Sequence, residues 1–387
     1  MSGAAVVVAL ALILGSCADA ASRTASAGIV RIAGPIEPVG RVEPVRKDQL
    51  PQLERDAGVS ARLSDGSVAW FFGDTGTRYS TGQLRYFVIG SAAWASAADP
   101  LRTQDFVAGD RPLPLVPAGA SRFDCPSNQP TPGYWPLSAV VVPSRGVDRV
   151  FVWLGNICLG QGQVADRGVS VAVWEYQPGS GAGGRPLVLQ SISGRLFDSA
   201  VLGDAALLSR NGLVYVYGCG GSSSDPIRRR SRPCHVARVR VGDVGQPGRY
   251  RWWSGSRWGN RADSTPLELS KGQKGPNSPQ GPFSVTWNRS LRRFLMVYSP
   301  WPGFVPFGAV RSSVRPEGPW GRLTQFDLPD CDDGLTNPGR ACYGVNAQPW
   351  ADIGDSIGIG YSDRSAEVSV EQGAFLVARL RLSIDKE

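Results

Sequence analysis

One histidine, His235, is all that this 387-residue chain contains. A Ser-His-Asp triad would have to be built on it, beside Cys234 in a basic loop, and no G-x-S-x-G elbow is present. There is no C-x-x-C either, so zinc has few ligands to draw on. Charged residues make up only 19% of the chain, and no stretch resembles a nucleic-acid-binding motif. The one long apolar run, Ala4 to Leu14, is too short to span a membrane. Two short motifs fail on their surroundings. Gly160-Gln161-Gly162-Gln163-Val164-Ala165 is a loose dinucleotide fingerprint, but a β-rich run follows it instead of a helix. Asp330-Cys331-Asp332-Asp333-Gly334 has the outline of a calcium loop, but its embedded Cys and missing distal Glu read as a disulfide-anchored turn.

What is abundant points to β structure. The chain has 48 Gly and 30 Pro, and β-branched and aromatic residues are plentiful. That profile suits many short strands joined by tight turns and argues against a helical protein. Residues 1–16 resemble a bacterial lipoprotein signal, with Cys17 as the lipidated residue, although the leading MSGAAV lacks the usual Lys or Arg. Residues 17–50 read as a tether and lead-in, and 51–387 as one folded domain. Export fits the remaining cysteines, Cys125, Cys158, Cys219, Cys234, Cys331 and Cys342, an even count that reads as three disulfides. Sequential pairing is expected, because each pair brackets one local hairpin or loop. The net charge is +8, and its one dense cluster, Arg228, Arg229, Arg230 and Arg232, reads as a solvated loop.

Arg55 to Thr75 reads as a β-hairpin turning at Ser64-Asp65-Gly66. Centred on Asp65, it sets opposite each other residues whose numbers sum to 130, and Asp56 and Asp74 satisfy that sum. Two carboxylates so close shift each other's pKa, an arrangement suited to acid–base chemistry on a glycosidic bond. The same hairpin pattern recurs. Val68–Phe72, Arg149–Leu154, Leu213–Tyr217, Arg293–Tyr298 and Ser356–Tyr361 are aromatic-rich second strands, spaced by about 60 to 80 residues. Gly58–Leu63, Leu137–Val142, Ala205–Ser209, Phe283–Trp287 and Val345–Trp350 precede them as partner strands. Five units of about four strands describe an all-β, five-bladed β-propeller, since stacked blades bury sheet faces that one blade could not. Phe375–Leu382 would complete the last blade, with the lead-in closing the ring.

The runs DGSVAWFFGDT, SVTWN with RRFLMVYSPW and RPEGPW, and CYGVNAQPW with IGIGYSD resemble the DUF4185 family, from about Arg55 to the C-terminus. That family includes five-bladed propeller glycoside hydrolases, among them endo-D-arabinanases of mycobacterial cell-wall arabinan. The resemblance implies catalytic aspartates at Asp56 and Asp74. It also implies a cell-envelope, D-arabinan-like polysaccharide as partner. Two positions differ from the pattern: Ala57, where a Gly commonly follows the first Asp, and the neighbourhood of Gln348-Pro349, where a His is often found.

If all blades run the same way, Trp135, Asn156, Asp198, Gln280, Ser299, Trp301, Asn346 and Asp363 join the two aspartates on one face. Aromatic faces with amides and carboxylates suit a polyhydroxylated ligand, and Trp135, Asn156, Asp198, Gln280, Trp301, Asn346 and Asp363 are the substrate-binding candidates. Each tryptophan could equally fill a gap between blades. The expectation is an exported monomer on the outer face of the cytoplasmic membrane, held by its lipid anchor alone, or secreted. It needs no cofactor and no catalytic metal, with a structural calcium in the central channel as the one ion left open. A non-catalytic glycan-binding or scaffolding lipoprotein is the alternative.

Overall fold

The computed structural model describes residues 28–385, apart from 118, 120–122, 161–162, 182–188, 190, 199–200, 221–232, 270–277, 301–302, 332–339 and 366–372. Cys17, Trp301 and the Arg228–Arg232 cluster therefore lie outside the described residues. The described chain forms six sheets, five of them arranged as the blades of a propeller and the sixth a small hairpin of Val107–Ala108 and Arg111–Pro112, with only short 3-10 turns as helix.

Blade one runs Glu54–Arg55 and Val59–Arg62, then Val68–Arg78, Leu84–Ser96 and Asp99–Asp105, with Glu43–Pro44 added in parallel outside. Blade two is Thr131–Ser144, Val147–Gly160, Gln163–Tyr176 and Ser191–Ile192. Blade three is Ala205–Leu208, Leu213–Gly218, His235–Arg240, Arg251–Trp253 and Trp258–Gly259. Blade four is Ser284–Asn288, Arg293–Tyr298, Phe307–Ser313 and Thr324–Asp327. Blade five is Arg340–Ala347, Ser356–Ser365 and Phe375–Asp385, and Ile29–Ile32 and Glu37–Arg41 pair with its last strand. The lead-in thus closes the ring by lending its strands to the final blade.

The aromatic second strands read as continuous apolar runs because both of their faces are buried. In blade one Ala69 and Phe71 pack toward blade two, whereas Val68, Trp70 and Phe72 pack toward Phe375 and Val377 of blade five. The alternation repeats around the ring. Val150, Val152 and Leu154 meet blade one, while Phe151 and Trp153 meet Val214 and Val216 of blade three. Tyr215 and Tyr217 meet Met296 and Tyr298, and Leu295 and Val297 meet Ile357, Ile359 and Tyr361. Each such side chain contributes about 1.5–3 kcal/mol relative to exposure. Period-two alternation therefore divides each strand's burial between two neighbours, and no blade is stable alone.

Blade five differs from expectation at its inner strand, which spans Arg340–Ala347 and not Val345–Trp350. Pro349 lacks the N–H a ladder needs and opens a 3-10 turn, Pro349–Ala351, that ends the strand early. The disulfides pair sequentially as expected: Cys125–Cys158, Cys219–Cys234 and Cys331–Cys342. All three lie at the end of the propeller where inner strands begin. At the opposite end the inner hairpins close through tight turns, such as Arg145-Gly146 with φ of 47° and 81°.

Candidate active site

Asp56 and Asp74 stand opposite each other at the open end of the blade-one hairpin. The register sums to 130 on both sides of them, from Glu54↔Gly76 and Arg55↔Thr75 to Val59↔Phe71. The Asp56 N–H donates to the Asp74 carbonyl at 2.9 Å, and the Gly73 N–H donates to the Asp56 carbonyl at 2.7 Å. Gly73 permits this approach, because a Cβ there would meet the Asp56 carbonyl oxygen at 3.3 Å. Between the paired segments Ala57 adopts a left-handed φ of 44°. Ala57 thus occupies a backbone conformation that favours glycine.

Neighbouring blades hold the two aspartates from opposite sides. From blade five, Ser362 Oγ accepts the Ala57 N–H at 2.8 Å. Asn346 Nδ2 donates to the Gly58 carbonyl at 3.0 Å and Gln348 Nε2 to the same oxygen at 3.3 Å. Gln348 also donates to Asn346 Oδ1 and accepts from the Ser60 hydroxyl. Asn346, Gln348 and Ser362 are all buried. From blade two, Trp135 Nε1 donates to Asp74 Oδ1 at 2.8 Å. Burial pushes the Asp74 carboxyl above its ordinary value, and the Trp135 bond offsets part of that rise. Next to the pair, Arg55 is buried against Asp105 and Thr103, with its guanidinium 4.3 Å from the centre of the Phe72 ring.

The other expected site residues are distributed unevenly. Trp135 and Asn346 join the aspartates as described, Trp135 as a donor to Asp74 and Asn346 as a brace under Gly58. Asn156 is fully buried opposite Tyr134, and among the described residues neither of its amide atoms has a hydrogen-bond partner. Gln280 is half-buried, with its N–H donating to the Ser299 carbonyl and its side chain packed against Gly303. Asp363 is half-buried opposite Cys342. Asp198 is exposed and pairs with Arg195 at 3.3 Å. Trp301 lies outside the described residues.

Several neighbours of the pair were not singled out from the sequence. Ser60, Ser362 and Gln348 brace the Asp56 strand through contacts between segments some 290 to 305 residues apart, as in Ala57–Ser362 with a separation of 305. A cavity of 640 Å3 opens from Asp74 between blades one and two, past Phe87, Ile89, Arg111, Tyr134, Gln163 and Val164. A sequence signal for it does exist: Tyr86-Phe87-Val88-Ile89 is apolar at consecutive positions, so a strand this long exposes one apolar face. Phe87 is 42% exposed and Val164 49%. Among the described residues no cluster of three or more His, Cys, Asp or Glu forms that could hold a metal ion. Among the residues lining the central channel Asp352 carries a carboxylate.

No protein-family model matches the sequence, and no curated protein matches it significantly. Among solved structures the chain is similar to a putative hydrolase from Bacteroides ovatus, at 15% identity and a TM-score of 0.59, over 84% of this chain and 85% of that one. It is also similar to an exo-β-1,3-galactanase from Phanerochaete chrysosporium with β-1,3-galactotriose, at 10% identity and a TM-score of 0.47, over 84% of this chain and 60% of that one. A third is a GH43_1 enzyme from Xanthomonas citri complexed with xylotriose, at 12% identity and a TM-score of 0.44, over 90% of each chain. At such identities the likeness is one of architecture, and the chain shares with the Bacteroides ovatus protein the fold that its own strand pairing describes.

Proposed function

We propose that this chain is a glycoside hydrolase of the DUF4185 type, cleaving a furanose-rich cell-envelope polysaccharide, with endo-action on D-arabinan. The observation that carries the reading is the backbone-paired couple Asp56 and Asp74, one of them held above its ordinary pKa by burial. A carboxyl that keeps its proton suits the general acid, and we assign that role to Asp74. It gives its proton to the glycosidic oxygen as the bond from the anomeric carbon breaks. Asp56 then takes a proton from the attacking water, or attacks the anomeric carbon itself to form an ester that water cleaves with Asp74, now unprotonated, as base. Trp135 tunes the acid through its N–H. The open cavity beside Asp74 supports endo-action, because a chain can run past the acid without ending there. The printed names of the similar structures, a hydrolase and two carbohydrate-bound proteins, agree with this class of chemistry. Export by the signal at residues 1–16 and lipidation at Cys17 would place the enzyme beside such a substrate.

The test is incubation of the purified protein with arabinan and arabinogalactan, with released oligosaccharides followed by chromatography. Wild type is expected to shorten the polymer, and Asp56→Asn and Asp74→Asn, still folded, to release nothing. Retention of arabinan by all three proteins without any product would overturn the hydrolase and leave a glycan-binding lipoprotein.

A further inference from the structure

The end of the propeller opposite Asp56 and Asp74 is built differently. Arg62, Arg145, Arg210, Arg289 and Arg292 sit at or beside the inner turns of blades one to four, and all five are exposed. None takes part in an ion pair among the described residues. Most carboxylates of that end are engaged, Asp99 at the neighbouring outer turn being exposed. Asp65 accepts from Ser67, Tyr176 and Gly179, and Asp148 is buried against Ser64. Asp355 pairs with Arg381, Asp385 with Arg31, and Asp352 accepts the Gly358 N–H. Asp65 and Asp99 carry negative charge there, and the five guanidiniums, with no ion-pair partner among the described residues, outnumber these two exposed carboxylates at the solvent face.

Arg62, Arg210 and Arg289 rim the mouth of a 760 Å3 channel framed by all five inner strands or the turn after them. Trp287, 38% exposed, lines the same mouth and leans on Phe294 with ring centres 4.8 Å apart. Ile353, 60% exposed, tops the neighbouring turn of blade five. An exposed Trp and an aliphatic residue among arginines are what a membrane interface selects.

The chain also joins the propeller at this end. Ile29 pairs with Asp385, the last residue of a strand that runs toward the turns, and Gly28 lies against Arg293 of blade four. Cys17 is 11 residues before Gly28 (28 − 17), a stretch that spans at most about 40 Å. An anchor there would hold the turn end, not the carboxylate end, near the bilayer.

We propose that this turn face docks on an anionic phospholipid membrane, with Arg62, Arg145, Arg210, Arg289 and Arg292 on the headgroups and Trp287 and Ile353 in the headgroup layer. Asp74, six strand residues from Val68, then faces outward about 20 Å above that surface. The docking stands independently of the hydrolase reading, since it uses no residue of the acid pair.

The test is sedimentation of the full chain with vesicles of phosphatidylcholine alone or with phosphatidylglycerol added. Each basic residue at an anionic surface strengthens binding about fivefold. With five arginines engaged, wild type is expected to prefer the anionic vesicles by on the order of a thousandfold. The preference should vanish in about 1 M salt, where the screening length is about 3 Å. The combined variant R62E/R210E/R289E should keep its binding to neutral vesicles and lose the preference; single Arg→Glu variants read the same effect if it fails to fold. Brominated lipids should quench wild type more than Trp287→Phe. Equal binding to both vesicle types, or a preference untouched by the reversals, overturns the proposal. So does loss of the preference to inorganic phosphate at constant ionic strength, which would mark the mouth as a site for a free anion.

Discussion

Asp65 and Asp74 lie at the two ends of one strand pair, yet their environments drive them apart. Burial pushes both carboxyls up. At the turn, the Ser67 hydroxyl and N–H, the Tyr176 hydroxyl and the Gly179 N–H all donate to Asp65, at 2.5 to 3.0 Å. Together they outweigh burial and hold Asp65 at about 2. At the open end Asp74 has Trp135 as its one lowering contact, and burial wins. The number of donors decides whether an aspartate is a fixed anion or a proton carrier. A tight turn supplies donors from its own backbone; an end that opens on a cavity leaves most of that coordination unfilled.

The largest expected effect comes from removing the carrier. Asp74→Asn should lower polysaccharide cleavage roughly 10²–10⁴-fold. It should also stabilise the fold at neutral pH. Asp74 has a folded pKa above its unfolded one, so its contribution to stability is fully present below the unfolded value and is lost as pH rises through the folded value. Asn stays neutral at every pH and keeps an oxygen for Trp135. The melting temperature of the variant should exceed that of wild type at pH 7, and the gap should close in acid. A variant less stable at pH 7 would mean that Asp74 is a structural anion after all.

Trp135→Phe sharpens the comparison by taking away the one donor that lowers Asp74. The carboxyl should rise further, and the alkaline limb of the pH–rate profile should move to higher pH. The plateau on the acid side of that limb should fall about tenfold, because Asp74 becomes an anion as it gives up its proton and has lost the N–H that stabilises that anion. An unmoved limb would remove Asp74 from the acid's role.

The same contrast explains what could be read from the chain alone. The turn-centred sum of 130 places Asp56 against Asp74 because local antiparallel register follows from one turn. The five aromatic strands stand out because each is buried on two faces. The bonds that support the pair were hidden: Trp135, legible as a member of that face, donates to Asp74, Gln348 and Ser362 reach the pair from blade five, and no local pattern encodes which blade end meets which. Asn346 illustrates the limit, since its place in the ring was legible but its bonds to the Gly58 and Gly344 carbonyls were not. Blade five's inner strand ends early for a local reason, the proline at 349, which lacks the N–H a ladder needs.

At the turn end the effect should be smaller. Tyr176→Phe removes a 2.6 Å donor from Asp65 and should cost about 1 kcal/mol at neutral pH, a figure already discounted because Asp65 is exposed. Asp65 has a depressed folded pKa, so its contribution is present above the unfolded value and is lost as pH falls through about 2. The gap between wild type and variant in urea unfolding should persist at pH 5 and narrow toward pH 2. Polysaccharide cleavage should not change. A pH-independent gap would assign the loss to packing of the Tyr176 ring and not to Asp65.

Ala57→Gly should have the smallest effect and the opposite sign. Ala57 holds φ at 44° beside the acid pair, a conformation that costs an L-residue about 1–2 kcal/mol. Glycine relieves that strain but gives up about 0.5–1 kcal/mol of chain entropy on folding. The methyl is half-buried and the bond to Ser362 uses the backbone N–H, so glycine loses neither a core contact nor that bond. The net is a gain of under about 1 kcal/mol, or about 2 °C in melting temperature for a chain of this size. Cleavage should be unchanged, since Asp56 remains pinned through the Asp74 and Gly73 backbone bonds. A faster enzyme would instead mean that the strained alanine holds Asp56 away from its working position, and that the turn-end and open-end aspartates differ in mobility as well as in donors.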